Sequence, residues 1–345
     1  MTLSLATAAA GAVGVALNGY VLLGGADFGG GVWDALASGP RRDAQRALIG
    51  RAIGPIWEAN HVWLIIAVVL LFTCFPPAFA LVGTALHVPL SIALIGIVLR
   101  GSSFTFRSYD THSAADERWS RVFAVASVVT PLLLGVSAGA IASERVAPPA
   151  PGASFASAYL APWLTPFSLA VGVFVLTLFA FLAAVYLTVE AEYDSALQED
   201  FRRRALGSAV LVFVVALVTL MLGQRAVPRL RTELLSSSEA LALHAATAVT
   251  AITAIWALIG RRYRLARLAA AAQVTLILWG WLLAQYPYVI PPTLTVTDAA
   301  SPPATLRAVI VALVAGALLL FPALAYLFGI FKADPASPRP QDDRR

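Results

Sequence analysis

Residues 3–36 read LSLATAAAGAVGVALNGYVLLGGADFGGGVWDAL, an apolar run without Lys or Arg that closes on a glycine-rich segment around Asp27. About 20 apolar residues wound as a helix cross the roughly 30 Å hydrocarbon core of a bilayer, and a helix pairs its backbone amides within the segment. The run therefore reads as a first membrane span over 3–24, with GGADFGGG at its end. A secretory signal needs a basic leader ahead of its apolar stretch. None precedes this one, so the helix is expected to be retained with its N-terminus translocated.

The same pattern recurs along a chain that is 59% hydrophobic and 12% charged, with a mean hydropathy of +0.79. Further spans are predicted over 55–75, 78–99, 121–143, 163–188, 205–223, 240–259, 266–284 and 306–331. The alternating pattern of a membrane barrel is absent, so the fold class is an all-α integral membrane protein of nine transmembrane helices. Residues 1–331 form one polytopic membrane domain, and the polar, proline-containing 332–345 is expected to be a disordered cytoplasmic tail. A faint echo between YVLLGGAD at 20–27 and YLTVEAEYD at 186–194 would suit two four-helix units plus one peripheral helix.

Nineteen of the 24 Lys and Arg fall in one alternating set of loops, at 41–51, 100–121, 202–204 and 261–267, and in the tail. Only Arg145, Arg225, Arg229, Arg231 and Arg307 occupy the other set. Basic residues accumulate in cytoplasmic loops, so the N-terminus is expected outside and the C-terminus in the cytoplasm. A net charge of +5 spread over five segments is not a nucleic-acid patch, although it can draw anionic membrane lipid. The single cysteine, Cys74, lies in an apolar run where packing is its expected role.

Ionisable groups at the edge of hydrocarbon are costly and invite a functional account. Asp27 closes a helix running inward, and WEANHVW at 57–63 opens one running outward, which puts Asp27 and Glu58 at a common depth. His61 follows Glu58 by three residues on the same face, with Asn60 beside it. A carboxylate, an imidazole and an amide at a dry helix start can hold and pass protons, which makes Asp27, Glu58 and His61 proton-relay candidates. The plainer role for both acids is helix capping. Gly24, Gly25 and Gly29 permit either a helix break or a close approach by a neighbour. Without a strand before it or a Lys-Ser/Thr ending, GGADFGGG is not a phosphate loop. Four His and two Met, none paired on facing spans, equip the chain poorly for haem, and it has no metal-site spacing. Trp33, Trp57, Trp63, Trp119 and Trp163 fall near span ends, as interfacial anchors do. The acidic stretch 189–200 reads as a solvated loop. No residue of the chain is singled out as catalytic.

These two segments, with LRGSSFTFR at 99–107, resemble subunit II of the cytochrome bd-type quinol oxidases. The family pattern is a Gly-rich Asp motif closing the first helix, then Trp-acid-x-Asn-x-x-Trp, matched by Trp57, Glu58, Asn60 and Trp63. An Arg-Gly-x-x-Phe-x-Phe/Tyr-Arg segment follows, matched by Arg100, Gly101, Phe104, Phe106 and Arg107. Gly24 stands where many members carry a second acid, and Glu58 where Asp is common. The resemblance implies a heterodimer in the bacterial plasma membrane, in which a haem-bearing subunit I holds haem b and haem d, oxidises quinol and reduces O2 to water. Subunit II would bind no haem, support subunit I and contribute to the route for cytoplasmic protons. A bound quinone or lipid and a small accessory subunit are compatible with it. The rival readings are a proton-coupled secondary transporter, built on a Gly-broken helix beside an acid, and a purely architectural membrane partner.

Overall fold

The computed structural model describes residues 4–54, 57–109, 113–236 and 238–332; the side chains at 107–109, 113–117, 231, 234–236, 238–239, 328 and 330–332 lie outside the described set, as does the tail from 333. Its elements are α1 (Leu5–Ala35), α2 (Arg42–Ile53), α3 (Trp57–Cys74), α4 (Pro76–Ala85), α5 (His87–Tyr109), α6 (Ser113–Ala142) and α7 (Phe155–Tyr159), then α8 (Pro166–Glu190), α9 (Ser195–Ala226), α10 (Pro228–Ser236), α11 (Ser238–Ile259) and α12 (Tyr263–Gln285). A short hairpin of β1 (Tyr288–Ile290) and β2 (Leu294–Thr295) precedes α13 (Pro303–Lys332). Among the described residues nine helices are long and apolar enough to cross a membrane: α1, α3, α5, α6, α8, α9, α11, α12 and α13.

Local chemistry sets several helix starts. The Ser4 hydroxyl accepts from the Thr7 amide, Thr165 caps α8 with Pro166 at its first position, and the Asp194 carboxylate accepts from the amides of Ala196 and Leu197. Each satisfies donors that a helix N-terminus leaves unpaired.

Three boundaries differ from the sequence reading. The first helix does not end at 24 but continues through the glycine segment to Ala35. The third span does not begin at 78: the short α4 stops at Ala85, and the spanning helix starts at His87 and runs on past Arg100. The acidic 189–200 stretch is a loop only over 191–194; its ends are the close of α8 and the start of α9.

The core centres on α1 and α8. α1 packs on α3, α6 and α8; α8 packs in turn on α6, α9 and α12, while α11 pairs with α12 and α5 with α6. α13 touches chiefly α1 and α3, and the most apolar stretch of that helix buries no residue within the chain. At one end, rich in arginine, α2 joins the end of α8 and the start of α9. At the opposite end the hairpin segment closes over α3: the Ser301 amide donates to the Cys74 carbonyl at 2.8 Å, and the Ser301 hydroxyl to the Thr73 carbonyl at 2.7 Å. Cys74 is fully buried there among Phe75, Trp163 and Ile290.

Candidate functional site

Small residues let the first helix carry a charge into the interior. The Phe179 backbone carbonyl of α8 occupies the space where a side chain at Gly29 would stand, and the Phe179 ring lies against Gly25. The Tyr20 ring likewise covers Gly24. The glycines thus serve close approach, not a break, and Asp27 sits within an unbroken helix at 4% exposure instead of capping its end.

Two other helices reach Asp27. Asn60 of α3 donates from Nδ2 to the Asp27 Oδ2 at 2.8 Å. Arg100 of α5 donates from Nη2 to the Asp27 backbone carbonyl at 2.8 Å, and its charge attracts that of Asp27. The guanidinium is only 1% exposed and lies over the rings of Phe28 and Phe123, at 4.9 and 5.1 Å from their centroids. The sequence placed Arg100 among the loop anchors; the structure buries it. A cation in that position offsets the desolvation of a carboxylate and stacks on aromatic faces in a way that lysine does not.

Around this group lie polar atoms with no hydrogen-bond partner among the described residues: the Tyr20 hydroxyl, Asn60 Oδ1, His61 Nδ1 and Arg100 Nε. His61 is packed among Tyr20, Phe28 and Trp57, with ring centroids 5.8, 5.6 and 6.0 Å away.

Glu58 does not join them. It is exposed and makes no hydrogen bond or ion pair among the described residues. The reason is helical phase: two residues span about 200° around a helix, so if Asn60 faces α1, Glu58 faces away. His61 is the neighbour of Asn60 around the helix and goes inward with it. The expected cluster of Asp27, Glu58 and His61 is therefore replaced by Asp27, Asn60 and Arg100 with His61 alongside.

Three of the tryptophans expected as anchors also turn inward. The Trp57 ring lies against Gly101 and the Trp63 ring against Gly19, while Trp33 Nε1 donates to the Ala180 carbonyl at 2.7 Å. Pro55, expected to start the second span, lies outside the described residues, as do His112 and the side chain of Arg107.

Between this site and the arginine-rich end lies α2, with Ile49 and Ile53 against Gly30. Asp200 of α9 ties it down, accepting from Arg41 at 2.8 and 2.6 Å and from Gln45 Nε2 at 2.9 Å. Arg204 donates to Gln45 Oε1 at 2.7 Å and lies over the rings of Trp33 and Phe201. Its hydrogen bond to Asp200 holds the Arg41 guanidinium above its ordinary pKa. Sequence reasoning missed this latch altogether.

Among the described residues no group of three His, Cys, Asp or Glu gathers to hold a metal ion. His61 is wedged between three rings, and Cys74 is sealed.

Residues 5–331 match the family described as cytochrome bd terminal oxidase subunit II. The chain is 32% identical over 124 residues to the cytochrome bd ubiquinol oxidase subunit 2 of Bacillus subtilis (strain 168), a stretch covering 36% of each protein. It is 31% identical over 127 residues to the cytochrome bd-I ubiquinol oxidase subunit 2 of Escherichia coli (strain K12), covering 37% of this chain and 33% of the relative. The chain thus spans about a third of the length of these curated relatives. In fold it is similar to a chain of the bd oxidase from Geobacillus thermodenitrificans, with a TM-score of 0.80 and 24% identity over 96% of this chain and 99% of that one. Since the family match runs over nearly the whole sequence, from the start of α1 into the last turns of α13, this multi-pass membrane chain belongs to the cytochrome bd terminal oxidase subunit II family.

Proposed function

We propose that this chain is the non-haem subunit II of a cytochrome bd-type quinol:O2 oxidoreductase in the bacterial plasma membrane. Its N-terminus lies outside, its C-terminus in the cytoplasm, and its helices group as two four-helix units plus one peripheral helix. A haem-bearing subunit I oxidises quinol and reduces O2 to water, with haem b and haem d held by that partner. This chain supports subunit I and contributes to the uptake of cytoplasmic protons. The bias of arginine toward one end supports the orientation.

The observation that carries the reading is Asp27. A carboxylate 4% exposed lies about 33 Å along α1 from Leu5, near one edge of the hydrocarbon, on a helix that α3 and α5 both reach to hold. Asn60 hydrogen-bonds its Oδ2, Arg100 compensates its charge, and Tyr20 and His61 offer further proton-exchanging atoms beside it. Arg100 compensates the charge of Asp27 in this dry setting. The transporter reading needs a helix broken at its acid, whereas α1 runs through Asp27 unbroken.

Affinity purification of the chain from its own membranes, followed by a reduced-minus-oxidised visible spectrum, tests the assignment. It is expected to bring down a partner with b- and d-type haem bands; a colourless, partnerless protein overturns it. In that complex Asp27→Asn and Glu58→Gln are expected to slow O2 consumption with haem content intact. Unchanged turnover in both variants would leave a purely architectural subunit.

A further inference from the structure

At the arginine-rich end, the connection between α8 and α9 faces the tight corner between α11 and α12 across a cavity of about 310 Å³. Its wall includes Arg261, Arg262, Arg264, Glu192, Gln198 and Leu265. We infer that this cavity takes the phosphate of an anionic phospholipid headgroup.

Charge is the first argument. Three guanidiniums line the cavity against one carboxylate. Glu192 is engaged by Arg264, whose Nη2 reaches its two oxygens at 3.1 and 3.2 Å. Arg261 has only a share of Glu199, at 3.5 Å, because that carboxylate already accepts from Arg202 at 2.8 and 2.9 Å and from Arg203 at 3.2 Å. Arg262 has no carboxylate partner among the described residues; its guanidinium rests over the Trp256 ring, 4.7 Å from the centroid. The wall thus carries a net positive charge, and guanidinium groups match phosphate oxygens in pairs.

The surroundings identify the source of the phosphate. Next to the cavity the outer faces of α11 and α12 are apolar and exposed: Trp256 at 52%, Ile259 at 61% and Leu268 at 70%. A headgroup seated between the arginines can lay its acyl chains along these side chains, which a free phosphate ion cannot exploit. Basic pockets between spanning helices at a membrane face are suited to anionic lipid heads, and the volume lies within the range of small-ligand sites.

The test uses the complex purified from membranes and placed in nanodiscs of phosphatidylglycerol or of phosphatidylcholine, with lipid retention after detergent extraction read by native mass spectrometry. Phosphatidylglycerol is expected to be retained over phosphatidylcholine, with retention falling about fivefold for Arg262→Gln and further for Arg261→Gln with Arg262→Gln. Arg118→Gln, an exposed arginine on α6, is expected to leave retention unchanged. Equal retention of the two lipids overturns the inference, as does an Arg118→Gln loss equal to that of Arg262→Gln, which would mean diffuse surface attraction. Displacement of phosphatidylglycerol by millimolar inorganic phosphate in wild type would make this a site for the free ion and overturn the lipid assignment.

Discussion

Replacing Arg100 by Met tests whether the interior site is held by its charges. The substitution keeps length and apolar volume but removes the guanidinium that is 1% exposed, its hydrogen bond to the Asp27 carbonyl and the charge that compensates a carboxylate 4% exposed. Removing one partner of a buried ion pair costs about 3–5 kcal/mol, because the other charge stays buried without compensation. Hydrogen bonds between membrane helices are worth less than this, about 1 kcal/mol, so the lower bound near 3 kcal/mol is the relevant one. At roughly 2–4 °C per kcal/mol this is a fall of about 6–12 °C in the unfolding midpoint of the purified complex, followed by tryptophan fluorescence with haem absorbance in parallel. The double variant Arg100→Met with Asp27→Leu removes both charges. It is expected to be more stable than the sum of the single losses by at least about 2 kcal/mol. A fall of less than about 2 °C for Arg100→Met would refute the reasoning, as would additive losses in the double variant.

Two further expectations follow from the packing. A side chain at Gly29 overlaps the Phe179 carbonyl, so Gly29→Leu is expected to push α1 from α8 and abolish accumulation in membranes, measured by immunoblot, with Gly29→Ala intermediate. Normal accumulation of both variants would contradict the contact. Asp200→Leu removes the acceptor for Arg41 and Gln45; it is expected to free α2 and speed limited proteolysis between 37 and 42. Because the Arg41 side chain is 47% exposed, the ion pair itself contributes less than about 1 kcal/mol, so Arg41→Gln is expected to have a small effect that added salt erases.

The spans were legible because hydropathy sums over some twenty residues and tolerates individual errors, while their ends were not. α1 outlasts its apolar run because Asp27 and Asp34, both buried, lie inside the protein and never meet lipid. From sequence, a glycine-rich segment that breaks a helix and one that admits a neighbouring backbone are the same string. Arg100 was misplaced for a related reason: an arginine after an apolar run usually anchors the helix end. The signal that could have corrected this was Phe104, one turn beyond, in a segment whose apolar character resumes. The latch of Arg41, Gln45, Asp200 and Arg204 was invisible because its partners stand about 160 residues apart in the chain, and nothing local distinguishes a paired surface charge from a solvated one.

The division of α3 into two faces has a consequence for what each acid can do. Asn60 and His61 look into the chain, where Asp27 already has its amide and its cation, so the chemistry of Asp27 belongs to this polypeptide. Glu58 instead heads an outward stripe that continues through Val62, Ile65, Val69 and Phe72, spaced three or four residues apart and 38%, 60%, 53% and 59% exposed. A carboxylate in line with such a stripe faces either acyl chains, where it must reach back to water, or a second polypeptide that covers it. In the proposed heterodimer the two acids therefore answer to different neighbours. The environment of Asp27 is built within this chain, while Glu58 stays exposed on the chain's surface.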